Sequence, residues 1–76
     1  MNNKRRGLLG NAVSLLERAS GMISRALDEE QDCLDNMPEN LQESEKCWKM
    51  EMAIEKLEEA IEHVESAQEA IVDACE

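Results

Sequence analysis

From Cys47 to Cys75 the chain repeats one spacing without a slip: Cys47, Met50, Ile54, Leu57, Ile61, Val64, Gln68, Ile71 and Cys75 stand alternately three and four residues apart. In an α-helix this alternation keeps all of them on one face, and over four heptads it is the pattern of a helix packed lengthwise on another helix. Ala53, Ala60, Ala67 and Ala74 recur every seven residues beside that seam, where small side chains let a neighbouring helix come close. Glu55, Glu58, Glu59, Glu62, Glu65 and Glu69 fill the arc away from the seam.

An earlier segment carries a similar row: Leu9, Ala12, Leu16, Ala19, Ile23, Ala26, Glu30, Cys33 and Met37. Leu8, Leu15 and Met22 widen it on one flank, and Val13, Leu27 and Leu34 on the other. Between residues 8 and 27 the apolar arc is therefore broader than contact with a single helix requires. Breakers separate the two segments at Asn36-Met37-Pro38-Glu39-Asn40, where Pro38 disfavours helical geometry at Met37. Asn40 with Glu43 has the character of a capping box, and Ser44 offers a second cap.

These signals predict an all-α chain: a basic flexible arm over residues 1–7, then a helical hairpin over 8–76. Its first helix covers about 8–36, its turn about 37–43 and its second helix about 44–75. A short link between long amphipathic helices makes them antiparallel neighbours. An isolated hairpin leaves one side of each helix wet. Leu8, Leu9, Leu15, Leu16, Met22, Ile23 and Leu27 are thus expected to recruit a second copy, giving a homodimeric four-helix bundle with the first helix nearer its centre.

Composition agrees. The 76 residues include no Tyr or Phe and one Trp, and the chain is rich in Ala, Leu, Ile, Glu, Lys and Met, which favour helix. Charge is uneven along it. Residues 1–27 hold five basic side chains against Glu17 alone, a net +4, while residues 28–76 hold seventeen acids against three lysines, a net −14. An acidic surface of this kind repels nucleic acid and attracts basic partners in a salt-sensitive way. No apolar run approaches the roughly 20 residues that span a bilayer. The basic start Lys4-Arg5-Arg6 is followed by an amphipathic pattern rather than a continuous signal-peptide core, so a cytoplasmic location is expected.

The chemistry-bearing residues are sparse. Cys33, Cys47 and Cys75 form no CxxC or Cys/His cluster, and are expected as reduced, packed thiols, with Cys75 the most accessible. Cys33 and Cys47 flank the turn at similar distances, which makes a disulfide geometrically conceivable. His63 shares a helix face with Glu59 but has no second His and no Glu three residues before it, so neither a metal nor another cofactor is expected. No Ser or Cys has a base in a recognised arrangement, and there is no Gly-rich phosphate loop, which argues against an enzyme. Glu30 and Gln68 interrupt the seams, either fixing register or lying at wet edges. Gly21 falls mid-helix, either allowing a kink or the close approach of another protein or tolerated on the solvent side, as its heptad position suggests. Trp48, with Met52 one turn later, is either a partner anchor or packs on Met37 and Leu41.

The stretch Asp28-Glu29-Glu30-Gln31, with Asn36-Met37-Pro38-Glu39-Asn40-Leu41-Gln42 and Ser44-Glu45 after it, resembles small acidic proteins encoded by phages, integrative elements and Gram-positive bacterial genomes. The likeness spans about residues 26–72. It implies a mobile-element accessory protein and transfers no catalytic residue. Together these readings lead to a non-enzymatic interaction module. On this view Glu51, Glu55, Glu58, Glu59, Glu62, Glu65, Glu69 and Trp48 contact a basic host protein concerned with defence or nucleic-acid handling, and inhibit it. The rival readings are a nucleic-acid-associated regulator using the arm and first helix, and a purely self-assembling structural protein.

Overall fold

A computed structural model describes residues 1–76 as two long helices, α1 (Asn3–Asp35) and α2 (Glu45–Ala74), joined through a single 3-10 turn at Glu39–Leu41. The helices lie against one another in a rod 59 Å long and 15 by 12 Å across.

α1 begins five residues before the sequence pattern suggests, so residues 3–7 are its first turns and not a loose arm. The cause is a cap: Asn2 is extended, and its Oδ1 accepts a hydrogen bond from the Arg5 backbone N–H at 2.9 Å. The extension also has a tertiary role. Arg6 Nε donates to the Cys75 carbonyl at 2.9 Å, setting a guanidinium at the C-terminal end of α2, whose last turn has no basic residue of its own. A cation there offsets the negative end of the helix dipole.

At the other end Asn36 closes α1 by donating from both its backbone and its side chain to the Asp32 carbonyl, at 3.1 and 2.8 Å. Pro38 then prevents continuation. Ser44, not Asn40, caps α2: its Oγ accepts from the Cys47 N–H at 3.2 Å and donates to the Leu41 carbonyl at 2.6 Å. One hydroxyl thereby satisfies a helix N-terminus and a turn carbonyl together. Asn40 lies within the 3-10 turn.

The α2 seam packs as its spacing predicts, with Cys47 and Ile54 buried and Met50, Leu57, Ile61, Val64, Gln68, Ile71 and Cys75 partly buried. The α1 seam is one position off. Its facing row is Leu9, Val13, Leu16, Ser20, Ile23, Leu27, Glu30, Leu34 and Met37, and all of these are buried or partly buried. Ala26 and Cys33, assigned to the seam by spacing, are exposed. Both candidate rows share Leu9, Leu16, Ile23, Glu30 and Met37. The helix rolls toward the row that also contains Val13, Leu27 and Leu34, because these bury more apolar surface than alanines.

Two interhelical hydrogen bonds set the register. Arg6 reaches Cys75, and Gln68 Nε2 donates to the Val13 carbonyl at 3.3 Å, one heptad farther along each helix in opposite directions. The hairpin is antiparallel, and Gln68 is satisfied across the seam rather than stranded in it. Glu30 instead borders an open groove near the turn, with Cys33 and Lys46.

Burial is slight for so long an interface. Only Met37, Cys47 and Ile54 are buried, and none of them completely. The accessible surface is 5919 Å², against about 4,700 Å² expected for a compact monomer of this mass. The largest side chains left in water include Leu8 (69% exposed), Leu15 (61%) and Met22 (73%), all on α1 at heptad spacing.

Two substitutions test the local account. Ser44→Ala should destabilise the protein by about 1 kcal/mol in urea unfolding, through loss of the cap. Gly21, where an added Cβ would meet only open space, should tolerate alanine with a gain of about 0.5–1 kcal/mol.

Candidate functional site

With the seams located, two flanks border them, and residues such as Arg18, Met52 and Glu59 lie on the outer edge between the flanks. On α2 the first flank carries Trp48, Glu51, Glu55, Glu58, Glu62, Glu65, Glu69 and Val72, each three or four residues from the next. The opposite flank carries Lys49, Ala53, Lys56, Ala60, His63, Ala67, Ala70 and Ala74. Acid and alanine thus occupy opposite sides of the same helix.

On α1 the corresponding flanks are Gly7, Gly10, Ser14, Glu17, Gly21, Ser24 and Asp28 on one side, and Leu8, Ala12, Leu15, Ala19, Met22 and Ala26 on the other. Two grooves show which flanks lie together. One, of about 260 Å³ at the open end, brings α1 Gly10 beside α2 Val72. The other, of about 500 Å³ near the turn, brings α1 Cys33 beside α2 Lys46. Gly10 belongs to the glycine-serine flank and Val72 to the acidic one. Cys33 and Lys46 continue the two alanine flanks by the heptad repeat. The hairpin therefore has an acidic face, with small residues along α1 and carboxylates along α2, and an alanine face edged by Leu8, Leu15 and Met22.

Of the residues expected to contact a partner, Trp48, Glu51, Glu55, Glu58, Glu62, Glu65 and Glu69 come together on the acidic face, with no basic side chain of α2 among them. Trp48 is 62% exposed, so Met37 and Leu41 do not enclose it. Glu59 stands apart, on the outer edge of α2. It takes a hydrogen bond from Lys56 Nζ at 3.2 Å and lies 3.6 Å from His63 Nε2. The Lys56 hydrogen bond and charge, with a smaller contribution from His63, hold the Glu59 carboxyl below its ordinary range. A depressed carboxyl stabilises the fold above its unfolded pKa, and that increment disappears as pH falls through the folded value.

Of the residues expected to form a dimer surface, Leu9, Leu16, Ile23 and Leu27 are partly buried within the hairpin seam, whereas Leu8, Leu15 and Met22 are exposed on the alanine face. The alanine face as a unit was hidden from spacing alone. It emerges only when α1 rolls so that Ala26 turns to solvent, while Ala12 and Ala19, still partly buried, edge the seam beside the α2 alanines.

No group of three or more His, Cys, Asp or Glu side chains is arranged to hold a metal, and no helix is long and apolar enough to cross a membrane. The cysteines differ from one another and from expectation: Cys33 is exposed, Cys75 partly buried and Cys47 buried, and none is paired. Burial pushes the Cys47 thiol up, and the Glu51 carboxylate, 3.8 Å from its sulfur, adds to the effect. Compared with known proteins, the chain matches no family model, no curated protein and no solved structure.

The thiols should report this arrangement directly. With an alkylating reagent at pH 8, Cys33 should react first and Cys75 next, while Cys47 should wait for unfolding. Equal rates at all three in the native protein would mean that the end of the hairpin nearest the turn is open.

Proposed function

We propose that this chain is a non-enzymatic interaction module, a homodimeric four-helix bundle that presents its acidic face to a basic protein surface. The observation that carries the reading is the one-sided placement of Glu51, Glu55, Glu58, Glu62, Glu65 and Glu69 with exposed Trp48 on a single flank. A continuous carboxylate wall steers a basic partner and raises its association rate, and an exposed tryptophan supplies anchoring area at its end. Beside the wall, Gly7, Gly10, Ser14 and Gly21 on α1 leave room for a partner helix to lie close.

The resemblance to small acidic proteins of phages and mobile elements supports a particular class of partner: a host protein of defence or nucleic-acid handling, whose basic binding surface the module would occupy. The nucleic-acid-binding alternative has less support. Residues 3–7 are helix and not a loose arm, Arg6 is engaged with α2 and Arg25 lies 3.7 Å from Glu29, so two of the five α1 cations are already occupied.

Self-association is supported by the exposed Leu8, Leu15 and Met22 and by a surface excess of about 1,200 Å² over a compact monomer. A standard interface takes about 800 Å² from each partner. In sedimentation equilibrium at ten micromolar the chain should be a dimer, and Leu15→Glu should shift it to monomer.

The acidic face is tested by affinity purification from the native host with the wild-type chain and a Glu55→Lys/Glu62→Lys/Glu69→Lys variant as baits. A basic host protein held by the first and lost by the second, with release by moderate salt, is expected. Equal retention by both baits, or a duplex DNA gel shift by the wild-type chain, would remove this reading.

A further inference from the structure

We infer that two copies join through the alanine face with their α1 helices antiparallel, about a two-fold axis that passes near residue 17 of each. The inference rests on the dimer proposed above and adds its geometry.

The α1 row of exposed Leu8, Leu15, Met22 and Ala26 with partly buried Ala12 and Ala19 is self-complementary in one direction only. Folded onto itself about Glu17, it sets Leu8 against Ala26 of the second copy, Leu15 against Ala19, and Met22 against Ala12. Every large side chain meets a small one, as close helix packing requires. The next step outward sets Arg5 against Glu29, and at the edge of the row Lys4 approaches Asp32. Neither Lys4 nor Arg5 has an acid partner in its own chain. A parallel pairing would instead stack Leu8 on Leu8 and Met22 on Met22, and lay the basic end of α1 on its own copy. One like-charge approach remains, Arg18 against Arg18 at the axis, where both side chains face solvent and salt screens them.

A second observation locates the same axis. On the α2 flank that also carries Lys56 and His63, the four alanines Ala53, Ala60, Ala67 and Ala74 are centred between His63 and Val64. The hairpin register, fixed by Arg6 with Cys75 and by Gln68 with Val13, brings that level opposite residues 17 and 18 of α1. One axis therefore centres both the α1–α1 contact and an alanine-lined α2–α2 contact. Two-fold interfaces require each patch to be its own complement, and both patches satisfy this about one point. The arrangement also turns the two acidic faces outward, on opposite sides of the bundle.

Disulfide trapping tests the geometry in a Cys33→Ser/Cys75→Ser background that keeps buried Cys47. Under mild oxidation Leu8→Cys should not link to itself, but should form a mixed dimer with Ala26→Cys, as Leu15→Cys should with Ala19→Cys. In the same background without added cysteines, Arg5→Glu and Glu29→Arg should each weaken the dimer several-fold to about tenfold, since each ion pair occurs twice. The double exchange should restore it.

A dimer in which Leu8→Cys links to itself, in which neither mixed pair forms, or in which the double exchange is no better than the singles would overturn this geometry and leave self-association standing. A chain that sediments as a monomer at 100 micromolar would overturn both.

Discussion

One helix carrying two adjacent apolar rows is the constraint from which the other features follow. The α1 row Leu9, Val13, Leu16, Ile23, Leu27 and Leu34 is covered by α2, but Leu8, Leu15 and Met22 stand one residue away, about 100° around the helix. A single neighbouring helix cannot cover both. The hairpin buries only three residues, so its stability is supplied by a narrow seam, end caps and an Arg6 contact across the open end. In the proposed dimer the uncovered row becomes core, and the apolar arc that is too wide for a hairpin matches the arc of a four-helix bundle.

In the proposed dimer the two flanks of α2 have separate roles. Alanine at every seventh position gives a surface that is flat and easily approached, and acid at the opposite positions gives one that is charged and hydrated. Placing them on opposite sides keeps the carboxylate walls of two copies apart, which matters for chains that each carry a net charge of −10. The basic residues are concentrated in α1, where antiparallel pairing brings Arg5 and Lys4 of one copy to the acidic end of the other. Charge thus favours one orientation of the dimer as well as one class of partner.

Much of this architecture was legible in the sequence, and the exceptions have identifiable causes. The α2 seam could be read to the residue because Ile, Leu and Val occupy five of its nine positions and the neighbouring rows are mostly Ala or Glu. The α1 seam could not. Leu9, Leu16, Ile23, Glu30 and Met37 belong equally to two candidate rows, and only packing against α2 decides between alanines and the larger Val13, Leu27 and Leu34. The start of α1 was obscured because three basic residues and Gly7 read as a loose arm, while the decisive group was a single amide oxygen on Asn2. Cys33 went from seam to surface with the same one-position roll. For the candidate site, the abundance of acid was plain, but its confinement to one flank depends on where the seam lies, which periodicity leaves open by one residue on a helix as broad as α1.

The central claim is that α1 is incompletely covered within one chain and is completed by another. Thermal unfolding followed by circular dichroism across a hundredfold range of protein concentration tests it most directly, because association linked to folding makes the midpoint depend on concentration. The account predicts a midpoint that climbs steadily with concentration, in one cooperative transition. A midpoint that stays fixed across the whole range, with a sharp transition, would show that the lone hairpin is sufficient and would contradict it.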